Sequence, residues 1–388
     1  MHCVRSVEDT PRVLHFIPSL SSAVGGPARA VIDLCGALSL RGNAITVATT
    51  DVDPEPPWRG CPSPELRLLG PLSLGAINRR SDLDNVRELI AEHDLVHLHG
   101  VWEYANIQIG RLCSLLQRPY IVSPHGMLDT WSMHQRRLKK KVYLRVFGTQ
   151  WLNAAAGIHT TTQFERQQSS LYFARDRGRV IPLMVDLGPF SPAPPSPQPH
   201  TVDRPLRVLY LSRIDPKKSI ETLLRAGEIL AQRGRRVSLL VAGSGEDPYV
   251  ARTRALASVL RLDIQFVGMV TGSAKTLLYH SCDVFALPTK HENFGIVYLE
   301  ALATGLPVVT TPHTGLSQDL HESGAALVVQ RSPECFADAI ESLILDPAKR
   351  LRMGTCGRDW VLRQFDREAI AKQFERFYLD IAGRTNAT

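Results

Sequence analysis

Short apolar runs alternate with longer amphipathic segments along the first half of the chain. The short runs are rich in Val, Ile and Leu and predict strands. Apolar residues that recur every three to four positions predict helices, as in Pro27–Leu40 and Ser81–Glu92. This alternation is typical of parallel strands joined by helices. The predicted strands are Arg12–Pro18, Ala44–Thr49, Leu66–Leu69, Leu95–Leu98, Tyr120–Ser123, Gly157–Thr161 and Arg179–Pro182.

A proline-rich stretch, residues 187–205, separates this series from a second one. Its repeated prolines cannot continue a helix or a central strand, so it predicts an interdomain linker. The same alternation then restarts, with a helix from Ser219. The strands predicted in the second series are Leu206–Ser212, Val237–Ala242, Ile264–Val267, Val284–Pro288, Pro307–Thr311 and Ala325–Val329.

The two series predict an α/β protein with two Rossmann-like domains, residues 1–186 and residues 206–388. At 388 residues the chain is long enough for each domain to bury its own core. The tail from Pro333 to about Ala382 has only helical patterns. We expect its last helix to cross back to the first domain.

Composition excludes several classes of protein. No apolar run reaches the roughly 18 residues that a membrane span requires. The first residues, MHCVRSVEDTPRV, lack the apolar stretch of a secretory signal, so we expect a cytoplasmic protein. Seven scattered cysteines without a C-x-x-C pair indicate reduced thiols. A formal net charge of +7 favours anionic partners, whether nucleotide phosphates, acidic lipids or nucleic acid.

Two carboxylates follow a predicted strand of the second domain, where ligands of doubly wound sheets bind. Glu292 lies in the loop, Phe294-Gly295 opens a helix, and Glu300 is expected about two turns inside it. A helix start favours anions and carboxylates accept hydrogen bonds from vicinal hydroxyls, so the motif suits a sugar, a ribose and a phosphate. Spacing alone favours a plainer interpretation, with one Glu stabilising the helix dipole and the other solvated.

Two basic residues, Arg213 and Lys218, follow the strand predicted at Leu206–Ser212. A planar guanidinium and a point-charge ammonium both suit a diphosphate, although solvated basic residues are the commoner case. Gly243 and Gly245 end the next strand and resemble half of a dinucleotide fingerprint, a pattern that a tight turn also produces.

Three histidines of the first domain, His97, His99 and His125, lie near predicted strand ends. No carboxylate or Cys stands at metal-ligand spacing from them, so we interpret His97 as structural and His99 as facing the cleft. Asp51 and Asp53 form an Asp-x-Asp pair, a metal-binding pattern that also arises often by chance in loops.

The segment LPTKHENFGIVYLEALATGLPVV, with Arg213 and Lys218 upstream, resembles glycosyltransferase family 4, which are retaining enzymes of the GT-B fold. Gly25-Gly26-Pro27 matches the family's glycine-rich loop near the donor phosphates. The segment 123–127 (SPHGM) matches its loop with a histidine beside the donor sugar. HGVWEY at 99–104 and SPHGMLDTW at 123–131 look like members that build bacterial exopolysaccharide or lipopolysaccharide.

The resemblance implies two Rossmann-like domains facing across a cleft. It implies a hexosyltransferase that transfers a sugar from a UDP- or GDP-sugar to a glycan or lipid-linked acceptor without a metal or other cofactor. It implies that Arg213 and Lys218 neutralise the diphosphate, that Glu300 binds the ribose, and that Glu292 holds the donor sugar. His125 orients that sugar at the reacting carbon. The further donor-binding positions that it implies are Gly25, Gly26, Gly243, Gly268, Met269, Asn293, Phe294 and Gly295.

Retention of configuration requires a covalent intermediate or attack from the leaving-group face. The resemblance assigns Glu292 to sugar hydroxyls and offers no other carboxylate nucleophile. We therefore expect same-face transfer through an oxocarbenium-like state, in which the leaving diphosphate accepts the acceptor's proton. Catalysis then rests on positioning and charge stabilisation.

Other functions stay open at this level. They are an inactive sugar-nucleotide-binding regulatory subunit, a sugar-nucleotide epimerase, or a phosphorylase, for whose cofactor lysine no motif is found. The joint presence of Arg213, Lys218, Glu292, Glu300 and His125 favours an active transferase.

A basic segment lies between Asp129 and Glu165, an interval without acidic residues. On a regular helix its charges spread around the axis, so a solvated helix is as good an interpretation as a membrane anchor. Because acceptors in envelope polysaccharide assembly are commonly lipid-linked, we expect an acceptor side with His99, Arg136 and Arg137 that meets an anionic membrane. No nucleic-acid motif accompanies the charge, so we expect no such partner. The basic residues are Arg136, Arg137, Lys139, Lys140, Lys141 and Arg145.

Overall fold

The computed structural model describes residues 10–21, 24–53, 58, 62–174, 177–190 and 204–385. The chain divides into two compact units. Unit 1 comprises residues 1–185 and 367–388, and unit 2 comprises residues 186–366. Most of the expected linker, residues 191–203, lies outside the described residues, as do Cys3 and Cys61.

Unit 1 contains a parallel sheet of seven strands among its described residues, in the order β3-β2-β1-β4-β5-β6-β7. Strands β1, β2, β4, β5 and β6 are buried along their whole length, as in central strands of a parallel sheet, and this burial includes the histidines of β1, β4 and β6. The strands are β1 (Val13–Phe16), β2 (Ile45–Thr49), β3 (Glu65–Leu68), β4 (Leu95–His99), β5 (Tyr120–Ser123), β6 (Gly157–Thr160) and β7 (Gly178–Val180).

Helices join these strands, and the last helix of the chain also belongs to unit 1, where it contacts α1 and β4. Arg41 at the end of α1 pairs with Glu368 and Glu375 of that helix, and these carboxylates raise the pKa of Arg41. The helices are α1 (Gly26–Leu40), α2 (Arg80–Glu92), α3 (Tyr104–Leu115), α4 (Thr130–His134), α5 (Arg137–Tyr143), α6 (Thr149–Ala154), α7 (Gln163–Ser169) and α15 (Arg367–Thr385).

Unit 2 contains a parallel sheet of six strands among its described residues, in the order β10-β9-β8-β11-β12-β13. The helices are α8 (Ile220–Gln232), α9 (Asp247–Val259), α10 (Gly272–His280), α11 (Ile296–Ala303), α12 (Ser317–Glu322), α13 (Pro333–Leu345) and α14 (Pro347–Gln364). The strands are β8 (Leu206–Leu211), β9 (Val237–Ala242), β10 (Ile264–Gly268), β11 (Val284–Leu287), β12 (Val308–Thr310) and β13 (Ala326–Val328).

The predicted fold class, two parallel α/β units, is confirmed, and each predicted strand overlaps an observed one. The strand order reverses beside β1 and β4 in unit 1 and beside β8 and β11 in unit 2. Ligands of such sheets bind beyond the carboxyl ends of the strands at these points. Within the described ranges, no helix has the length and apolarity needed to span a bilayer.

Candidate active site

The loop after β8 carries Arg213 at its exposed beginning and Lys218 at its buried end. The glycines after β9 allow close backbone contact with this loop. A Cβ on Gly243 would stand 1.9 Å from the Ser212 carbonyl oxygen, and one on Gly245 would stand 2.0 Å from that of Ile214. Gly243 and Gly245 therefore shape the loop by close packing, and no larger residue fits at either position.

Lys218 forms an ion pair with Glu292, which lies 74 positions later in the loop after β11. The side chains are 9% and 19% exposed, so water screens the pair little. Burial alone raises the pKa of the Glu292 carboxyl, but the charge and hydrogen bond of Lys218 outweigh it and the net pKa is lowered. Glu292 is thus held as a carboxylate beside an ammonium.

Backbone hydrogen bonds also hold Glu292 in position. Its N–H donates to the His313 carbonyl at 2.9 Å, and its carbonyl accepts from the Gly315 N–H at 2.8 Å. Nearby, the Lys290 N–H donates to the Lys217 carbonyl at 2.7 Å, which ties the loops after β8 and β11 together. Lys218 and Glu292, from the ends of these two strands, therefore form one cluster.

The segment from Asn293 to Gly295 leads directly into α11, as the sequence predicts. Phe294 is buried against Phe365, whose ring centre lies 5.8 Å away. Gly295 has a φ of +83°, and a Cβ there would stand 2.4 Å from the Tyr298 ring. Only glycine suits this corner, and the first N–H groups of α11 beyond it have no partner within the helix.

Glu300 is the fifth residue of α11, so it lies about one turn inside the helix and the expectation of two turns is wrong. The solvated alternative is also wrong, because Glu300 is buried. Its carboxylate accepts from Lys275 Nζ at 2.5 Å and from the Tyr279 hydroxyl at 2.8 Å. Burial, followed by the nearby Glu300 charge, raises the pKa of Tyr279. Lys275 and Tyr279 were missed because only the fold brings α10 against α11.

At the edge of the cluster, the Gly243 N–H donates to the Gly268 carbonyl at 2.7 Å and joins the ends of β9 and β10. Gly268 has a φ of +75° beside an irregularity in the pairing of these strands. Met269 follows it and is exposed. Gly268 and Met269, two of the predicted donor-binding positions, therefore lie in unit 2 at the end of β10, two strands from the strand that Arg213 follows.

Gly25 and Gly26 begin α1 in unit 1. Gly25 has φ +83° and ψ −133°, a conformation that glycine alone adopts readily, and nothing lies within 4 Å of a Cβ at either position. The Asp-x-Asp pair supports the loop before this helix. Asp51 accepts from the Ser19 hydroxyl and Asp53 from the Ser21 hydroxyl, both at 2.7 Å.

His125 follows β5 and has a φ of +50°, an uncommon conformation for a residue other than glycine. The Gly126 N–H behind it donates to Glu165 Oε1 at 2.5 Å. The other oxygen of Glu165 accepts from the N–H and the hydroxyl of Thr161, both at 2.7 Å. The buried Glu165 thus holds the strained loop in place.

Sequence reasoning missed Glu165, although Thr162-x-x-Glu165 is a capping-box pattern that was available. The Thr162 hydroxyl does accept from the Glu165 N–H at 3.0 Å. The long-range contact to Gly126 was not predictable from that local pattern.

His99, which we expected to face the cleft, is a buried residue of β4. His99 is 2% exposed and bonds to His15 and His125 at 3.0 and 2.9 Å. His97, His99 and His15 have ring nitrogens within 4.8 Å of one another, which is the geometry of a candidate metal site. His15 and His159, which complete this buried cluster, were missed because they lie on other strands.

The basic segment does not form one regular helix. Arg136, with a φ of +52°, separates α4 from α5, and a π-helical turn at Leu144–Gly148 follows α5. Arg136, Arg137, Lys139, Lys141 and Arg145 are exposed.

Lys140 differs from its neighbours because it points inward. Its Nζ donates to the carbonyl and hydroxyl oxygens of Ser132 at 2.7 and 3.0 Å and stands 4.7 Å from the centre of the Trp102 ring. Lys140 is therefore a structural residue and not part of the exposed charge.

Exposed apolar residues accompany this charge at four-residue spacing. Leu138, Val142 and Val146 are 78%, 53% and 57% exposed. Hence a row of apolar side chains lies beside the exposed basic ones, although the charges alone did not indicate it.

Two family descriptions match the chain. "Glycosyl transferases group 1" matches residues 196–360 and "Glycosyl transferase 4-like domain" matches residues 25–184. Together the two matched ranges cover most of both units, including the Lys218–Glu292 pair and His125.

Similar proteins agree with this family. The GDP-mannose-dependent alpha-(1-6)-phosphatidylinositol monomannoside mannosyltransferase of Mycobacterium tuberculosis is 28% identical over 311 residues, 75% of this chain and 78% of that protein. The D-inositol 3-phosphate glycosyltransferase of Pseudarthrobacter chlorophenolicus is 30% identical over 286 residues, 69% of this chain and 66% of that protein.

Solved structures share the fold. Anabaena Alr3699/HepE, crystallised with UDP and glucose, aligns with a TM-score of 0.76 at 19% identity, over 95% of this chain and 99% of that one. This likeness establishes the GT-B fold class.

Proposed function

The chain belongs to the group 1 family of glycosyltransferases, and from this premise we propose that it is a retaining, metal-independent hexosyltransferase acting on a lipid-linked acceptor. The donor is a UDP- or GDP-sugar, and the product is a bacterial cell-surface glycan. One observation supports the donor site above all others. The Lys218–Glu292 pair, the start of α11 and the buried Glu300 lie together beyond the carboxyl ends of β8 and β11.

This cluster has the chemistry that a nucleotide sugar requires. Arg213 supplies an exposed cation for the diphosphate in addition to the buried Lys218, and the start of α11 favours the same negative charge. Glu300 accepts the ribose hydroxyls while Lys275 and Tyr279 hold its carboxylate in place. Glu292, kept ionised by Lys218, accepts hydroxyls of the sugar, and His125 orients it. Cationic side chains thereby take the place that a metal ion occupies in other transferases.

The reaction follows from charge and position. Departure of the diphosphate develops negative charge that Arg213, Lys218 and the helix start stabilise. The sugar passes through an oxocarbenium-like state, and the acceptor oxygen attacks from the same face. The proton of that oxygen moves to the leaving diphosphate, so the configuration is retained without a carboxylate nucleophile.

A panel of donors tests the reaction. The purified chain is incubated with UDP-glucose, GDP-mannose and related donors, a lipid-linked and a soluble acceptor, and either a chelator or Mg²⁺. We expect transfer with retained configuration from at least one donor, unchanged by the chelator. Loss of transfer with the chelator and its recovery with Mg²⁺ would contradict the metal-free mechanism. Nucleotide-sugar binding without any turnover would favour an inactive regulatory subunit.

Replacement of Arg213 or Glu300 by Ala is expected to weaken nucleotide binding. Each change removes a charge-assisted contact worth roughly 1.5–3 kcal/mol, which corresponds to about tenfold or more in affinity. Calorimetric titration with UDP and GDP measures the change. Arg225→Ala, an exposed arginine on α8, is the matched control and keeps wild-type affinity. Wild-type affinity in both test variants would exclude this cluster as the nucleotide site.

The lipid-linked acceptor is proposed from the exposed surface of residues 137–146. Arg137, Lys141 and Arg145 stand beside the exposed apolar residues Leu138 and Val142 in this segment. Basic residues attract anionic headgroups, and apolar side chains insert at the headgroup boundary. The phosphatidylinositol monomannoside in the name of the Mycobacterium tuberculosis relative is likewise a lipid.

Exchange of Arg137, Lys141 and Arg145 for Gln is expected to weaken binding to anionic vesicles by tenfold or more. Each basic residue near the surface contributes about 1 kcal/mol, and this contribution falls as salt rises. Cosedimentation with vesicles of phosphatidylglycerol and phosphatidylcholine measures the affinity. The control exchanges Arg79, Arg80 and Arg87, which are exposed elsewhere on unit 1, and removes equal charge. If both triple variants bind the vesicles equally, the loss of binding comes from the lower net charge and not from the position of residues 137–145.

A further inference from the structure

A continuous series of hydrogen bonds connects His125 to a backbone carbonyl inside unit 1. Every side chain along it is buried except that of His125 itself, which is half-buried. The contacts are His125 Nε2 to His99 Nδ1 (2.9 Å), His99 Nε2 to His15 Nδ1 (3.0 Å), His15 Nε2 to Tyr378 OH (3.5 Å), Tyr378 OH to His97 Nδ1 (2.9 Å), His97 Nε2 to Ser123 Oγ (2.7 Å), Ser123 Oγ to His159 Nδ1 (2.7 Å) and His159 Nε2 to Ile181 O (2.8 Å).

The members come from distant parts of the sequence. The strands β1, β4, β5 and β6 are neighbours in the sheet and supply His15, His97 with His99, Ser123 and His159. The C-terminal helix α15 supplies Tyr378. We call this series the histidine chain.

The carbonyl of Ile181 sets the direction of the first protons. It only accepts, so His159 Nε2 carries the hydrogen and Nδ1 of the neutral ring is an acceptor. The Ser123 hydroxyl must then donate to His159, and its oxygen accepts from Nε2–H of His97. Nδ1 of His97 is thereby left to accept from the Tyr378 hydroxyl.

The same reasoning continues to the other end. The Tyr378 oxygen accepts from His15 Nε2–H, because two lone pairs facing each other would repel. His15 Nδ1 then accepts from His99 Nε2–H, and His99 Nδ1 accepts from His125 Nε2–H. Burial supports this assignment, since it lowers the pKa of His15 and His125 to about 3 and of His159 to about 4. It lowers the pKa of His97 and His99 too.

We propose that the histidine chain fixes His125 as the Nε2–H tautomer and so leaves its Nδ1 as a hydrogen-bond acceptor for a hydroxyl of the donor sugar. Within the described part of the chain, the hydrogen bond of the His125 ring is the one from Nε2 to His99, and none forms at Nδ1. Ser123, His159 and Tyr378 are positioning residues that act through the chain. The tautomer follows from unit 1 alone, whereas its use rests on the proposed transferase function.

Variants that each remove one hydrogen-bonding side chain from the histidine chain test the assignment. Long-range ¹H–¹⁵N NMR on histidine-labelled protein reports the tautomer of each ring, with single His→Gln variants for assignment. We expect only the Nε2–H form for the five chain histidines of the wild type. Ser123→Ala removes the constraint on the tautomers of His97, His15, His99 and His125, whereas Tyr378→Phe removes it only for the last three. Each ring without this constraint shows shifts averaged between the two tautomers.

Activity supplies a separate readout. If the two forms become equally populated, about half of the molecules carry the productive tautomer, so transfer falls about twofold. Tyr120→Phe is the matched control, because it removes another buried hydroxyl of unit 1, one that donates to the Trp151 carbonyl outside the chain. It leaves all five tautomers unchanged.

Three results would overturn the proposal. One is a mixture of His125 tautomers in the wild type, and another is an unchanged His125 signal in both Ser123→Ala and Tyr378→Phe. The third is stoichiometric Zn²⁺ binding with displaced signals of His15, His97 and His99, which would make the cluster a metal site. Because the NMR test needs no substrate, a failed transferase assay does not affect it.

Discussion

Acidification from about pH 7.5 to about pH 5.5 is expected to lower the stability of unit 1 by several kcal/mol. His15, His97, His99 and His159 are buried, and burial holds the pKa of each below the ordinary value of 6.5. The unfolded chain takes up protons at about 6.5 and the folded chain does not. Stability is therefore complete above this pH and falls as the pH drops towards 3 to 4.

The expected loss is about 1.4 kcal/mol per pH unit for each histidine, and a whole domain has roughly 5–15 kcal/mol of stability. Urea unfolding at a series of pH values measures the slope. In a Trp360→Phe variant, every remaining tryptophan lies in unit 1, so fluorescence reports that unit. Replacement of His159 by Asn reduces the slope, whereas replacement of the exposed His134 does not. If the slope of stability against pH is the same in the Trp360→Phe protein and in both histidine variants of it, the buried rings are not the source of the slope.

Replacement of Lys218 by Met is expected to destabilise unit 2 by about 3 kcal/mol and to abolish tight donor binding. The change leaves Glu292 partly buried without its ammonium partner. With that partner gone, burial dominates and the pKa of the Glu292 carboxyl moves upward. Lys217 also faces Glu292, so the loss is at the lower end of the range for broken buried pairs.

Hydrogen exchange of peptides from β8 and β11, followed through urea, measures this effect within unit 2. The double variant Lys218→Met with Glu292→Gln is expected to recover much of the stability without recovering donor binding, because no unpaired charge remains. Asp338→Asn, in the exposed ion pair with Arg233, is the control and changes stability little. No recovery in the double variant would mean that Lys218 stabilises unit 2 through packing instead of charge.

The two predictions concern different consequences of burial. Around the histidine chain, burial keeps the imidazoles neutral, so unit 1 loses stability only when the pH falls. At the Lys218–Glu292 pair, Lys218 lowers the pKa of the buried Glu292 carboxyl, so the loss of stability appears when Lys218 is removed. The structural role of each cluster can therefore be measured apart from turnover.

Local patterns in the sequence determined the elements of this protein and the position of its main candidate residues. Strand and helix periods, the prolines of residues 187–205 and the Gly295 corner depend on near neighbours, so the two α/β units and the start of α11 were predictable. The motif around Glu292 and Glu300 also gave the family. These features need no knowledge of which strands lie side by side.

Only the tertiary structure decided which side chains are partners. Strand order brings Lys218 to Glu292 and α10 to Glu300, and it places His15 beside His99, 84 positions away. The same packing buries His99, expected to face the cleft, and turns Lys140 inward. Side-chain partners depend on burial and strand order summed over the whole unit, and no local period encodes them.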